Sequence, residues 1–212
     1  MDKLTLRHSL VSPDHYDRGI RSNIFQRLWH KRRFAEVGKV LDGISPRQVL
    51  DIGCHGGTFT EVISKKFLGA EVFGIDISQN AIDYGKKIRP KINFQVASAE
   101  KLPFPDHFFD LITCFDTFEH LPDSSKALSQ MHRVLAKDGK VIFLIPTESF
   151  LFRTVWFFWS RFGPGKVWQG THIQNFNGGK LDKLLEKSGF KITMRKTINL
   201  GMLLLIGAQK QE

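Results

Sequence analysis

Cysteine is scarce in this chain of 212 residues: there are two, Cys54 and Cys114, and both lie in apolar runs. A disulfide framework is therefore not expected, and a reducing cytoplasm suits the sequence better than an oxidising compartment. No CxxC pair or Cys/His cluster offers the ligand spacing of zinc, so no metal site is expected. Long apolar runs are also missing. Met1 to Asp17 holds no h-region of a secretory signal, and Phe150 to Trp159, the most apolar stretch, is too short for a membrane span and is interrupted by Arg153. Internal repeats and low-complexity tracts are absent. What remains is a globular composition, 42% hydrophobic and 25% charged, which excludes disorder and collagen-like structure. The length suits one large domain or two small ones with a substantial core.

The net charge of +10 is unevenly placed. Residues 1–48 carry 10 basic and 5 acidic side chains, residues 49–145 carry 11 and 12, and residues 146–212 carry 10 and 4. Any attraction to nucleic acid, anionic lipid or an acidic metabolite must come from the two flanks.

From Gln48 onward, short β-branched and aromatic runs alternate with amphipathic segments, the pattern of βαβ units. Strands are expected at Val49 to Gly53, Glu71 to Asp76, Asn93 to Ala97, Phe109 to Phe115 and Lys140 to Ile145. Thr58 is placed to cap a helix to Phe67, with Glu61 completing a capping box. Ser78 opens the helix Ala81 to Ile88. Asp123 opens a helix expected from Ser124 to Ala136, ended by Lys137, Asp138 and Gly139, a basic last turn followed by a stop glycine. Pro146 to Asn177 breaks the rhythm and reads as an insertion. A helix, Gly179 to Ser188, then leads through Gly189 to strands Phe190 to Lys196 and Gly201 to Ala208. Their short connection requires antiparallel pairing. Near the start, Asn23 to Leu41 reads as a basic amphipathic helix, with Ile24 and Leu28, and Phe25 and Trp29, at i, i+4 spacing. One α/β domain results, with a basic helical region over residues 1–45, a core over 46–146, an aromatic and basic insertion or lid over 147–177, and a helix and hairpin over 178–212.

The first strand runs into VLDIGCHGGTFTEV, residues 49–62. A strand, a tight glycine turn and a helix N-terminus bring backbone amides and a positive dipole end to an adenosine-type ligand. A dinucleotide GxGxxG would need glycine at 53, 55 and 58, where the chain has Gly53, His55 and Thr58. No Gly-Lys-Ser/Thr follows, so a P-loop also fails. The turn together with VFGIDIS, ASAEKLPFPDHFFDLI (residues 97–112), FDTFEHLPD (115–123) and LAKDGKVIFLIP (135–146) resembles the class I S-adenosylmethionine (SAM) dependent methyltransferases, especially the small-molecule, type 11-like group whose first motif reads like LDxGCGxG.

That resemblance implies a Rossmann-like sheet of seven strands, mostly parallel with an antiparallel C-terminal strand and helices on both faces, with SAM as cofactor and S-adenosylhomocysteine (SAH) as product. It implies a ribose-binding carboxylate at Asp76, and a role for Asp51 in holding the glycine turn or meeting the methionine ammonium. Gly53, Cys54 and Gly57 shape the turn, and Ile77 and Leu102 flank the adenine. Ala99, Glu100 and Phe115 complete the cofactor set. His55 stands where the family has glycine, so either it accepts a positive φ or its imidazole meets the cofactor carboxylate. Ser98 stands where many relatives have an aspartate for the adenine amino group, and the contact then passes to its hydroxyl, to Glu100 or to a backbone amide. Asp116, Glu119 and His120 follow the fourth strand at the carboxyl edge of the sheet, with His120 the first candidate base and Asp116 beside it. His172 resembles the histidine that starts the family's HxxxF stretch and is a second candidate.

The segments FDTF and IPTE differ from the Asn/Asp-Pro-Pro-Tyr/Phe motif of base methylases, so nucleic acid is disfavoured as a partner. SFLFRTVWFFWSRFGPGKVW, residues 149–168, joins three of the four tryptophans to Arg153, Arg161 and Lys166. It suits an interfacial helix or a lid over a greasy substrate, or else a helix packed on the sheet. The expected activity is methyl transfer to a small-molecule or lipid-like acceptor, in the cytoplasm or peripherally at an anionic membrane surface. The alternatives are a catalytically silent SAM-binding protein and an RNA methyltransferase.

Overall fold

The computed structural model describes residues 11–168, 171, 173–176 and 179–211. Its strands are β1 (Gln48–Ile52), β2 (Glu71–Asp76), β3 (Asn93–Val96), β4 (Phe109–Phe115), β5 (Leu135–Pro146), β6 (Phe190–Ile198) and β7 (Leu203–Lys210). They form one sheet in the order β3-β2-β1-β4-β5-β7-β6, parallel except for β7, which runs antiparallel to both β5 and β6. The helices are α1 (His15–Ser22), α2 (Ile24–Val40), α3 (Thr58–Lys66), α4 (Gln79–Ile88), α5 (Ser124–Val134), α6 (Phe150–Phe162) and α7 (Lys180–Lys187), with 3-10 turns at Phe118–His120 and Pro164–Trp168.

Period-two alternation along the central strands feeds two separate cores, one on each face. Leu50, Ile52, Ile112 and Phe143 pack with Leu128 and Met131 of α5 and Leu181 and Leu185 of α7. Val49, Leu111, Ile142 and Leu144 point the other way, into the group that includes Val37 of α2, Ile63 of α3 and Ile82 of α4. The Rossmann-like sheet expected from the sequence is thus present, and the carboxyl ends of β1, β2 and β4 meet at one edge.

Several local signals hold. The Ser78 hydroxyl accepts from the Ala81 amide and the Asp123 carboxylate from the Lys126 amide, while Gly189 follows α7 at φ +80°. The Asn23 side chain accepts from the amides of Phe25 and Gln26, opening α2.

Others do not. Gly57, at φ +86°, occupies the N-cap of α3; Thr58 is already helical, and Glu61 bonds Lys65 and Arg89 instead of closing a capping box. The helix from Ser124 ends at Val134, because Leu135 turns extended and pairs with Phe109. The basic turn and Gly139 that resemble a helix stop lie inside β5. The insertion is structured, with α6 packing chiefly on the Pro164–Trp168 turn. The first two turns of α2 leave Ile24, Phe25 and Leu28 exposed; its buried face starts at His30 and continues through Arg33 and Val37. Between β6 and β7 the chain turns through three successive residues with positive φ, Asn199, Leu200 and Gly201.

Candidate active site

At the end of β1 the chain turns through Gly53, at φ +73°, where a Cβ would approach Thr117 Oγ1 to 2.1 Å. Glycine is required there on both counts. The amides of Gly53 and Cys54 donate to the Ile75 carbonyl at 2.8 and 2.9 Å, binding the turn to β2. His55 takes φ +48°, and its amide donates to Asp76 Oδ2 at 2.9 Å while the Ser78 amide donates to Oδ1 at 2.8 Å. Asp76 is therefore fixed beside the glycine turn, and Ser78 caps α4. The His55 ring is buried edge-on to Tyr16.

Asp51 is buried beneath the turn and accepts from Thr60 Oγ1 at 2.6 Å and Thr113 Oγ1 at 2.7 Å. Burial pushes its carboxyl up to about 6, although both hydroxyls and the nearby Asp76 also act on it. Burial likewise raises the thiols of Cys54 and Cys114, so neither is a ready nucleophile.

These groups border a cleft of about 280 Å³. Asp51, Gly53, Cys54, His55, Asp76, Ile77, Ser98, Ala99, Glu100 and Phe115 all line it, as do Asp116 and His120. Gly57 does not: it supports the turn against Phe94, which a Cβ would reach at 2.4 Å. Leu102 is also set back, buried in the core. The Ser98 hydroxyl accepts from the Glu100 amide at 3.2 Å, and the Glu100 carboxylate accepts from the Asp123 amide at 2.8 Å.

A second cavity, about 430 Å³ and mostly apolar, adjoins the cleft. Trp29 of α2, Phe152, Trp156 and Trp159 of α6, and Met202 and Leu203 beside β7 form its walls. Tyr16, Asp116, His120 and Trp168 border both spaces. His120 Nδ1 lies 2.7 Å from the Thr171 carbonyl oxygen. A carbonyl only accepts, so the ring carries its proton on Nδ1 and, when neutral, its lone pair on Nε2. Asp116, at φ +48°, forms an ion pair with buried Arg33 of α2, whose guanidinium also stacks 4.8 Å over Phe59. Burial lowers Arg33 to about 10, which leaves it charged at neutral pH. His30 and His15 fall to about 3 and 4, chiefly through burial, so both are neutral there, while burial raises Tyr16 to about 12.

The roof over both spaces is α1. Asp17 accepts two bonds from Arg89 Nη2, at 2.7 and 2.9 Å, and one each from Thr58 and Tyr84 at 3.0 Å. Arg89 also donates to the Gly56 carbonyl at 2.7 Å. The glycine turn and α1 are thereby fastened together, and Trp168 Nε1 meets His15 Nε2 at 3.3 Å on the far side.

The sequence gives no role to Arg33, His30 or Tyr16, and it places Trp168 only within the aromatic segment 149–168. They reach the site from distant segments, of which the basic amphipathic helix Asn23 to Leu41 and the aromatic segment stand out in the sequence. His172 lies outside the described residues.

A family model described as a methyltransferase domain matches residues 20–194. The chain is 33% identical over 116 residues to the ubiquinone biosynthesis O-methyltransferase of Alkalilimnicola ehrlichii, covering 52% of this chain and 46% of that protein. It is 31% identical over 147 residues to the chloroplastic tocopherol O-methyltransferase of Arabidopsis thaliana, covering 65% and 42%. The chain thus spans less than half the length of these curated relatives. Its fold is similar to that of the SAH-bound magnesium protoporphyrin IX methyltransferase from Synechocystis PCC 6803, with a TM-score of 0.73, 19% identity and coverage of 99% and 100%. It is also similar to the PH0226 protein from Pyrococcus horikoshii OT3, with a TM-score of 0.70, 20% identity and coverage of 95% and 97%. With the family model spanning most of the chain and the sheet built in the order described, the chain belongs to the class I SAM-dependent methyltransferases, whose cofactor is SAM.

Proposed function

We propose that this chain transfers a methyl group from SAM to an oxygen of a small, largely apolar acceptor. The observation that carries the reading is the shared wall: an apolar cavity meets the glycine-turn cleft at Tyr16, Asp116, His120 and Trp168. The donor set fits the cofactor. Asp76 uses two of its lone-pair positions on backbone amides and retains acceptor capacity for the two ribose hydroxyls. Asp51 would offer a carboxylate to the methionine ammonium, the turn at Gly53 is too tight for any Cβ, and Ile77, Ser98 and Ala99, which line the cleft, would flank the adenine. The bound cofactor supplies an electrophilic methyl group on a sulfonium.

The protein's part is to align the acceptor oxygen and remove its proton. His120 Nε2 is the base, with the Thr171 carbonyl holding the ring in the required tautomer. The Arg33–Asp116 pair fixes the polar end of the acceptor near the wall, and Trp156, Trp159 and Trp168 exclude water. The ubiquinone biosynthesis and tocopherol relatives, both O-methyltransferases, favour oxygen and an acceptor with lipid character. Such an acceptor suits a chain that works in the cytoplasm or peripherally at a membrane.

Incubation with methyl-labelled SAM and separate lipid, metabolite and RNA extracts tests this reading. Label is expected in the lipid or metabolite fraction. Label in RNA alone would overturn the acceptor class, and SAH binding without any labelled product would show a silent SAM-binding protein.

A further inference from the structure

We propose that α6 and the first two turns of α2 together form a docking face for an anionic lipid bilayer, so that the acceptor enters its cavity directly from the membrane. This rests on the acceptor class given above for its purpose, but not for its geometry. Large apolar side chains normally turn inward; here Phe25 and Leu28 of α2 and Phe150, Phe157, Phe158 and Phe162 of α6 face solvent, with Phe25, Phe150 and Phe162 at 79%, 88% and 72% exposure. The same two helices supply the mouth of the 430 Å³ cavity, through Phe25 and Trp29 on one side and Val155 and Trp156 on the other. Exposed aromatic residues and part of the lining of an apolar chamber therefore lie on the same two helices.

Charge selects the occupant. No acidic residue occurs from Arg18 to Ala35 or from Ser149 to Leu181, whereas Arg21, Arg27, Lys31, Arg153 and Arg161 are exposed within those runs. An aromatic helix face flanked by cations matches the acyl boundary and headgroups of an anionic leaflet. A second copy of the chain fits poorly, because a two-fold interface would set this acid-free patch against itself. Among the described residues no helix is long and apolar enough to cross a membrane, so the contact is lateral.

Co-sedimentation with vesicles tests the face, using equimolar phosphatidylglycerol and phosphatidylcholine against phosphatidylcholine alone. The wild-type chain should partition onto the anionic vesicles, less so in high salt. Arg153→Glu with Arg161→Glu should reduce that partitioning about thirtyfold or more, and Phe157→Ser with Phe158→Ser about a hundredfold. Both double variants should keep the thermal shift produced by SAH, which establishes that they are folded. Failure of the wild type to bind either vesicle, or unchanged binding by both folded variants, would overturn the proposal. So would a dimer in solution that the phenylalanine variant dissociates, without vesicle binding. Vesicle binding without methyl transfer would instead refute the proposed activity and leave the docking face standing.

Discussion

Removing Arg89 should loosen the roof of the active site by a calculable amount. The Arg89 and Asp17 side chains are 7% and 10% exposed, and their paired bonds fasten α1 to the glycine turn. Arg89→Met retains most of the aliphatic stem but strands a buried carboxylate, and breaking such a pair costs about 3–5 kcal/mol. In a chain of this size that lowers Tm by roughly 10 °C. Asp17→Leu combined with Arg89→Met should recover part of the loss, because the orphaned charge is gone. The pH dependence has a defined sign. Burial by itself pushes the Asp17 carboxyl up, but the Arg89 hydrogen bonds and charge, with help from Thr58 and Tyr84, hold it below the usual carboxylate range. Its stabilising contribution is thus present above the unfolded-state value and disappears as pH falls through the lowered one. In Arg89→Met burial is opposed only by the Thr58 and Tyr84 bonds, so the deficit against wild type should narrow on acidification. Thermal denaturation across pH, with and without SAH, measures these effects, and SAH affinity should fall because α1 carries Tyr16 into the cleft. A variant within about 0.5 kcal/mol of wild type, or a double variant less stable than Arg89→Met, would refute the reasoning.

Asp76→Ala should weaken SAM and SAH together in calorimetry, by about tenfold or more if hydrogen bonds from the ribose to a charged acceptor are lost; unchanged affinity in a folded variant would remove the ribose assignment. Asp51, raised by burial to about 6, should release a proton when the methionine ammonium arrives beside it near pH 5. Calorimetry in two buffers of different ionisation enthalpy reads that proton, and Asp51→Asn should abolish it. His120→Gln should lower kcat by about a hundredfold or more while SAH affinity stays near the wild-type value; equal loss of both would assign the ring to cofactor binding instead. Trp156→Ala with Trp159→Ala should reduce turnover and spare SAH affinity, since both rings line the apolar cavity and neither lines the cleft.

The glycine-turn cleft was legible because its parts are local: Asp51 and Gly53 lie at the end of one strand, Asp76 of the next, and Phe115 of a third, each within a contiguous motif. The apolar cavity was not, since Tyr16, Arg33, Trp168 and Leu203 converge only after the chain has folded. Arg33 is the instructive case. In sequence it is one of several helical arginines, yet it is buried against Phe59 and Asp116, and nothing in local spacing distinguishes it from exposed Arg32. The helix stop read at Lys137 to Gly139 failed for the opposite reason. Its local chemistry was right for a C-terminus, but Leu135 gains a strand partner in Phe109, and long-range pairing outweighs the local preference. Trp156 and Trp159 fall between the two roles considered for their segment, lining a chamber while their helical neighbours Phe157 and Phe158 face outward.

The three successive left-handed residues between β6 and β7 set more than a reversal of direction. Leu203 to Ala208 are buried whichever way they point, so over Leu203 to Ile206 sliding β7 by one position would exchange one large aliphatic side chain for another. The strand's own sequence consequently carries little information about its alignment, and the tight bend at Asn199, Leu200 and Gly201 supplies it. Met202 and Leu203, the first residues after that bend, line the apolar cavity. A hairpin closed one residue out of step would present a different wall to that cavity. The shape of the apolar cavity therefore depends partly on the accuracy with which this bend forms during folding.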